Sequence, residues 1–355
     1  MKRVLVAMSG GVDSSVTAFL LKEQGYDCIG VTMKLYDGED ERESTCCSLR
    51  DVEDAKSVCH RLGIPHYTFN FTGDFEQQVI RPFIESYEQG RTPNPCIDCN
   101  RRLKFQRLYH RAMELGCDYI ATGHYVRRRE NPDGTVSLYK ALDQEKEQSY
   151  VLYNMTQEQL RRTLFPLGEL TKPQVREIAE REGFLNAKKH DSQDICFVPD
   201  GDYAGFIAEA TGKNYPEGPV LDTAGNRIGT HRGIIHYTIG QRKGLGLALG
   251  KPMYVKSTDA ETNTVVLGTN DELFSSRVYG ENLNWIAGEI PQEPLSVVAR
   301  VRYHGKDQPA TLYFQGDGRI LAEFSVPQRA VTPGQAIVFY QGENMLGGAE
   351  IVRGE

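Results

Sequence analysis

Seven consecutive residues, Ser9-Gly10-Gly11-Val12-Asp13-Ser14-Ser15, follow the apolar run Arg3–Met8 and precede Val16, Phe19 and Leu20 at helical spacing. A glycine-rich turn between a strand and a helix start suits an anion. Glycine lets the backbone approach a ligand closely, and the uncapped N–H groups and dipole of the helix start favour a phosphate. No Gly-Lys-Ser/Thr follows, so the loop is not of the Walker A kind. A second set of reactive residues is sulfur. Cys96-Ile97-Asp98-Cys99 lies in a stretch read as a loop stiffened by Pro93 and Pro95 and followed by Arg101, Arg102 and Lys104, and Cys196 lies far downstream in Asp191-Ser192-Gln193-Asp194-Ile195-Cys196-Phe197. The thiolate is the reactive form, and neighbouring cations lower its pKa. One C-x-x-C plus a distant cysteine is one ligand short of a closed zinc site. Cys28, Cys59 and Cys117 fall on apolar faces and read as small core residues, and Cys46-Cys47 reads as part of a loop with no special chemistry.

The Ser9 loop resembles the pyrophosphate (PP) loop of the N-type ATP pyrophosphatases, Ser-Gly-Gly-x-Asp-Ser. That resemblance implies cleavage of ATP to AMP and pyrophosphate with adenylation of a substrate oxygen. Four further motifs follow in order: Thr92-Pro93-Asn94-Pro95 leading to Cys99-Asn100, Ala121-Thr122-Gly123-His124-Tyr125, Asp191 to Phe197, and Tyr237-Thr238-Ile239-Gly240-Gln241-Arg242. Together they resemble the tRNA-specific 2-thiouridylases of the MnmA type, from the first strand to Gln335.

The resemblance implies ATP-dependent 2-thiolation of the wobble uridine, U34, of tRNAs of the Lys, Glu and Gln type. It makes Cys99 the catalytic nucleophile and Cys196 the persulfide carrier, with Asp13 beside ATP and Mg²⁺. It assigns the ATP site to Ala7, Met8, Ser9, Gly10, Gly11, Val12, Asp13, Ser14, Met33 and Gly123. Target-base contacts fall on Asn94, Pro95 and Cys96, and tRNA contacts on His124, Lys146, Glu147, Gln148, Arg302, Tyr303 and Gln335. The sulfur would come from a sulfur-relay protein or a cysteine desulfurase. Position 96 departs from the pattern, because the family commonly has Asp there and this chain has Cys96, with Asp98 nearby. Two sulfur schemes follow. The preferred one passes sulfur through the Cys196 persulfide; the alternative has Cys96, Cys99 and Cys196 hold an iron–sulfur cluster. A ligase that accepts ammonia after adenylation, and a tRNA-binding protein without catalysis, are the readings from other classes; the first leaves Cys99 and Cys196 unexplained, and the ATP loop opposes the second.

The elements that must position these residues read as alternating strands and helices. Strands are expected at 28–35, 66–71 and 118–124, and helices at 51–62, 75–87 with a possible bend at Pro82, 103–115 and 171–182. Such alternation predicts an α/β fold, a doubly wound parallel sheet with ligands beyond the carboxyl ends of the strands. From about residue 200 glycines and short alternating runs take over, with a hairpin at 253–267 and strands at 297–303, 319–326 and 336–340. The expected organisation is a PP-loop ATP-binding catalytic domain at 1–200, a small mixed/β central tRNA-contact domain at 201–270 and a C-terminal β-barrel domain at 271–355. Arg127-Arg128-Arg129 reads as a solvated rim, and Arg300, Arg302 and His304 as one face of a strand.

The bulk properties narrow the class. The chain has 355 residues, 39% of them hydrophobic, and a net charge of −7, a mild argument against a nucleic-acid partner that a local basic surface can override. No apolar run approaches the ~20 residues of a membrane span. The first strand starts by about residue 3, which predicts no signal peptide and a cytoplasmic location. Eight cysteines in such a chain read as thiols rather than as a disulfide framework.

Overall fold

The computed structural model describes residues 1–36, 49–191 and 195–355. The acidic loop from Gly38 to Ser44, Cys46-Cys47 and Ser192 to Asp194 lie outside the described residues. β1 (Arg3–Ala7), β2 (Asp27–Lys34), β3 (His66–Asn70), β4 (Tyr119–Ala121) and, past a hairpin of β5 (Val126–Glu130) and β6 (Val136–Lys140), β7 (Thr163–Leu164) include five that form one sheet in the order β3-β2-β1-β4-β7. Every neighbouring pair in that sheet is parallel. The run Val4-Leu5-Val6 is wholly buried because both faces are covered. Val4 and Val6 pack among Val16, Leu21, Val58 and Val175, whereas Leu5 packs on the opposite side among Val31, Phe75, Leu103 and Ile120. Each such side chain contributes about 1.5–3 kcal/mol of burial. The doubly wound sheet is as expected. The chain moves outward from β1 through β2 to β3, then returns to the other side of β1 as β4, and that reversal opens a crevice at the carboxyl ends of β1 and β4.

Residues 203–268 form a helix, Tyr203–Thr211, and a four-stranded sheet of Gly218–Asp222, Arg227–His231, Tyr254–Asp259 and Thr264–Gly268. The expected hairpin is present, turning at Asn263 with φ +48°. Beyond it, Phe274–Trp285, Leu295–Arg300, Gln308–Gly316, Arg319–Arg329, Ala336–Gln341 and Asn344–Gly354 close into a barrel, the first strand pairing with the last at Val278 and Gly354. Among the described residues no helix is long and apolar enough to cross a membrane.

Several local expectations are corrected. The helix expected at 103–115 begins at Pro95 and runs to Glu114 through a π-helical stretch, Cys99–Leu108, so both cysteines of the C-x-x-C are helical. The helix expected at 75–87 runs on through Pro82, and the turn before it, Glu76–Ile80, is π-helical, a widening that accommodates a residue without an N–H. The β5–β6 hairpin does not belong to the parallel sheet. β6 pairs with the last barrel strand, Leu138 opposite Met345, and extends the barrel sheet by two strands. Of the arginines on β5, Arg129 is exposed as expected, whereas Arg127 and Arg128 are half-buried and engaged within the protein. Arg127 pairs with Glu343 at 2.8 Å, Arg128 donates to the Leu160 carbonyl at 2.9 Å, and Arg129 lies over the Tyr139 ring.

The strand expected to carry Arg300, Arg302 and His304 on one face ends at Arg300. Arg300 is half-buried, its guanidinium 2.8 Å from Asp307 and 3.1 Å from Glu147, and Asp307 also pairs with Lys140. Burial alone would push the Asp307 carboxyl up, but Lys140 and Arg300 hold it below its ordinary range. This cluster joins β6, the segment after residue 141 and the barrel. Glu147→Ala removes one of the two carboxylates that face the Arg300 guanidinium and is expected to cost about 1–3 kcal/mol, read from urea unfolding.

Candidate active site

The Ser9 loop stands at the mouth of the crevice because β1 ends at Ala7 and α1 (Val12–Glu23) starts five residues later. Gly10 has φ +71°, and a Cβ there would lie 2.3 Å from the Asp51 carbonyl oxygen, so the loop rests directly on the backbone of the Leu49–Leu62 helix. Gly11 is the N-cap of α1 and no side chain caps it, which leaves first-turn N–H groups directed at the crevice. Inside the loop the Ser14 hydroxyl accepts from the Ser9 N–H at 3.2 Å and donates to the Gly11 carbonyl at 3.0 Å. From beneath, the buried Asn186 amide donates to the Gly10 carbonyl and to Ser15 Oγ, each at 2.9 Å. Lys189 joins Asp51 at 2.6 Å and Asp54 at 2.7 Å below the same carbonyl.

The second wall is the turn after β4. A Cβ on Gly123 would fall 2.9 Å from the Asp13 carbonyl carbon and 3.0 Å from the Ser14 nitrogen, so only glycine lets this turn lie against the start of α1. Tyr125 donates its hydroxyl to Asp13 at 2.8 Å, and Lys172 Nζ is 2.8 Å from both oxygens of the same carboxylate. Met33 is buried at the end of β2. Thus Ser9 to Ser14 and Gly123 meet beside the ends of the paired strands β1 and β2.

The cysteines are positioned by the 95–114 helix. Asn94 is its N-cap and accepts from the Cys96 N–H at 3.1 Å, with Pro95 in the first turn. Cys96 is exposed, and Cys99, one turn on, is half-buried. A thiol in the opening turns of a helix has its thiolate favoured by the helix dipole. Burial pushes the Asp98 carboxyl up to about 6, against the pull of Arg102 and Arg101. The segment leading into this helix is clamped to the barrel: the Thr92 N–H donates to Pro333 at 2.9 Å and Gln335 donates to the Thr92 carbonyl at 2.7 Å.

Cys196 is half-buried; the Tyr36 hydroxyl donates to its carbonyl at 2.9 Å, and Phe197 is packed edge-on against Phe75 and Phe83. Cys99 and Cys196 border the same apolar body. Cys28, Cys59 and Cys117 are core fillers, as expected. Among the described residues no group of three His, Cys, Asp or Glu side chains stands where one metal ion could bind.

The residues expected to contact tRNA are mostly engaged within the protein. His124 is buried between Phe105 and Phe165 and bonded to Thr122 at 2.7 Å; burial, with Lys104 nearby, holds it neutral. Glu147 is buried against Arg300, Gln148 accepts from the Tyr125 N–H at 3.0 Å, and the Tyr303 hydroxyl reaches the Glu147 carbonyl. Lys146, partly exposed, pairs with Asp191 at 2.7 Å. Arg302 remains exposed, donating to the Arg329 carbonyl. Sequence reasoning missed Lys172, Asn186 and Lys189; Lys172-Pro173 carried only a helix-start signal.

A phosphate-accepting loop at the strand-order reversal of a parallel sheet places the protein among the PP-loop ATP pyrophosphatases. Three family models match the chain: a tRNA methyl transferase HUP domain over residues 2–200, a tRNA methyl transferase PRC-barrel domain over 204–269, and an aminomethyltransferase beta-barrel domain over 275–351. The chain is 51% identical over 357 residues to the tRNA-specific 2-thiouridylase MnmA of Lachnoclostridium phytofermentans, covering 99% of this chain and 100% of that protein. It is 48% identical to that of Clostridioides difficile, covering 99% and 98%. The chain belongs to the family of MnmA-type tRNA-specific 2-thiouridylases. Solved structures are more distant. A 4-thiouridine synthetase–RNA complex with bound ATP is 18% identical, with a TM-score of 0.39 over 57% of this chain and 46% of that one. An NMN synthetase from Francisella tularensis is 18% identical, with a TM-score of 0.35 over 61% and 79%.

Gly123→Ala forces the turn away from α1; a loss of about 1–3 kcal/mol in urea unfolding and weaker ATP binding by calorimetry are expected. The Asp98 carboxyl sets a pH dependence. Between the unfolded pKa of roughly 4 and the native value of about 6 the native state binds more protons, so this group lowers stability as pH rises through that window. Asp98→Asn is expected to flatten the decline, measured as unfolding free energy across the same window.

Proposed function

We propose that this chain catalyses ATP-dependent 2-thiolation of the wobble uridine, U34, of tRNA. The carrying observation is that the Ser9 loop and the turn at Gly123 lie against each other while Cys99 and Cys196 border one apolar body that also packs on the sheet at Leu5 and Val31. The target base must leave its stack to reach such a site. Asn94, Pro95 and Cys96, at the exposed start of the 95–114 helix, are positioned to meet it. The uridine C2 oxygen attacks the α-phosphate of ATP, the P–O bond to pyrophosphate breaks, and the C2 oxygen becomes part of an AMP leaving group. The Ser9 loop holds the departing pyrophosphate through its N–H groups. Mg²⁺ accompanying ATP supplies charge neutralisation, and Asp13 is the carboxylate of the loop that fits it.

Sulfur then arrives as the outer sulfur of a persulfide on Cys196, loaded by a sulfur-relay protein or a cysteine desulfurase. The Cys99 thiolate attacks the Cys196 sulfur, forming a Cys99–Cys196 disulfide and releasing hydrosulfide. Hydrosulfide adds to C2, AMP leaves, and 2-thiouridine forms. A thiol reductant supplies the two electrons that reopen the disulfide. A tRNA substrate supports a cytoplasmic location for the reaction.

Iron-free protein incubated with ATP, Mg²⁺, a cysteine-desulfurase persulfide source and unmodified glutamate tRNA is expected to give 2-thiouridine by nucleoside mass spectrometry; product only after cluster reconstitution would sink the persulfide scheme. Cys99→Ser and Cys196→Ser are each expected to abolish 2-thiouridine while tRNA-dependent pyrophosphate release survives. Cys96→Asp is expected to retain thiolation.

A further inference from the structure

Cys96 occupies the position where the family commonly has Asp, and the helix fixes what a thiol can do there. The Cys99 N–H donates to the carbonyls of Cys96 and Pro95, so the two cysteines close a single helical turn. Helical rise and radius put Cα atoms three residues apart at about 5 Å, inside the range that a disulfide accepts. The turn is held from both sides. Asn94 caps its start through the Cys96 N–H at 3.1 Å, and Thr92 before it is bonded to Pro333 and Gln335 of the barrel. A Cβ on Gly334 would lie 3.2 Å from the Thr92 carbonyl carbon, so this seam is closely packed. On the inner side Ile97 and Asn100 are buried, and the Asn100 amide donates to the Val151 carbonyl at 3.2 Å. These anchors set the rotation of the helix. Cys96 is exposed, whereas Cys99 packs half-buried against the apolar body that Cys196 also borders. Cys99 therefore has a second thiol fixed in its own turn, on the solvent side.

We propose that Cys96 is the resolving thiol of the sulfur relay. The inference rests on the Cys99–Cys196 disulfide left by the reaction proposed above. The Cys96 thiolate attacks Cys99 Sγ, the bond from Cys99 to Cys196 breaks, and its electron pair leaves on Cys196 Sγ, which takes up a proton. The oxidised bond is now Cys96–Cys99. Arg101 and Arg102 follow in the next turn, and cations near a thiol favour its thiolate. A dithiol protein then attacks the exposed Cys96 sulfur, supplies two electrons and two protons, and is left with a disulfide of its own. The exchange moves the oxidised bond from two half-buried sulfurs to a pair with an exposed member, so a protein reductant need not enter the site. It also returns Cys196 as a thiol ready for the next sulfur. Asp at position 96 carries no sulfur and leaves reduction to act on the Cys99–Cys196 bond itself.

The test runs on the full chain, anaerobically and without added reductant. Protein charged by a cysteine desulfurase and cysteine is freed of both, mixed with ATP, Mg²⁺ and unmodified glutamate tRNA, and quenched with N-ethylmaleimide. Disulfides are mapped by peptide mass spectrometry, and 2-thiouridine is counted in parallel. The wild type is expected to gain a Cys96–Cys99 disulfide in step with 2-thiouridine, with Cys196 alkylated. Cys96→Ser and Cys96→Asp are expected to lose that bond and to hold a Cys99–Cys196 disulfide in its place, counted per 2-thiouridine formed. A wild type that makes 2-thiouridine and keeps Cys99–Cys196 as its oxidised bond, or that forms Cys96–Cys99 equally when ATP is withheld, overturns the resolving role. A wild type that makes no 2-thiouridine, or makes it with no disulfide among the three cysteines, overturns the relay scheme instead.

Discussion

The reversal of strand order at β1 is the constraint on which the molecule depends. A parallel sheet whose chain leaves β1 in one direction and returns on the other side must open at their shared carboxyl ends, because the connections there diverge. Two of the turns described above are hung from that opening. The Ser9 loop follows β1, the Gly123 turn follows β4, and their mutual approach is close enough to exclude a single methyl group. The loop keeps its N–H groups for a ligand because its carbonyl side is occupied from below by Asn186 and Lys189. Binding capacity on one side of the loop is thus secured by hydrogen bonds on the other.

The barrel serves the same opening from a distance. The cluster of Lys140, Glu147, Arg300 and Asp307 fixes it to the first 200 residues, and Gln335 braces the segment that begins the cysteine helix. Residues that the family resemblance gives to RNA, such as Glu147 and Gln335, lie at these joints. Their side chains hold the surface together, and the backbone around them shapes what an RNA would meet.

Much of this was legible in the sequence, for identifiable reasons. The run Val4-Leu5-Val6 and the glycines after it report a buried strand and an anion loop through local rules alone. The start of the cysteine helix was legible but misread. Asn94-Pro95 is an N-cap followed by a first-turn proline, a standard helix-start pair, yet the two prolines at 93 and 95 drew the reading toward a loop. The destination of the β5–β6 hairpin was not legible, because its partner strand lies some two hundred residues away and pairing over that separation leaves no local trace. For the same reason Arg127 and Arg128 looked solvated, since Glu343 and the Leu160 carbonyl that receive them are remote in sequence. Lys172 gave no sign of its two carboxylates, one more than 150 residues before it.

The burial of Cys28, Cys59 and Cys117 has a chemical consequence. Burial pushes Cys28 to about 11 and Cys59 to about 12, and raises Cys117 as well. At neutral pH such thiols stay protonated and make poor nucleophiles toward a persulfide. A protein that handles labile sulfur must keep it from wandering among its own cysteines, where each stray exchange would end in a dead-end polysulfide. For these three cysteines the packing that builds the fold imposes that discipline.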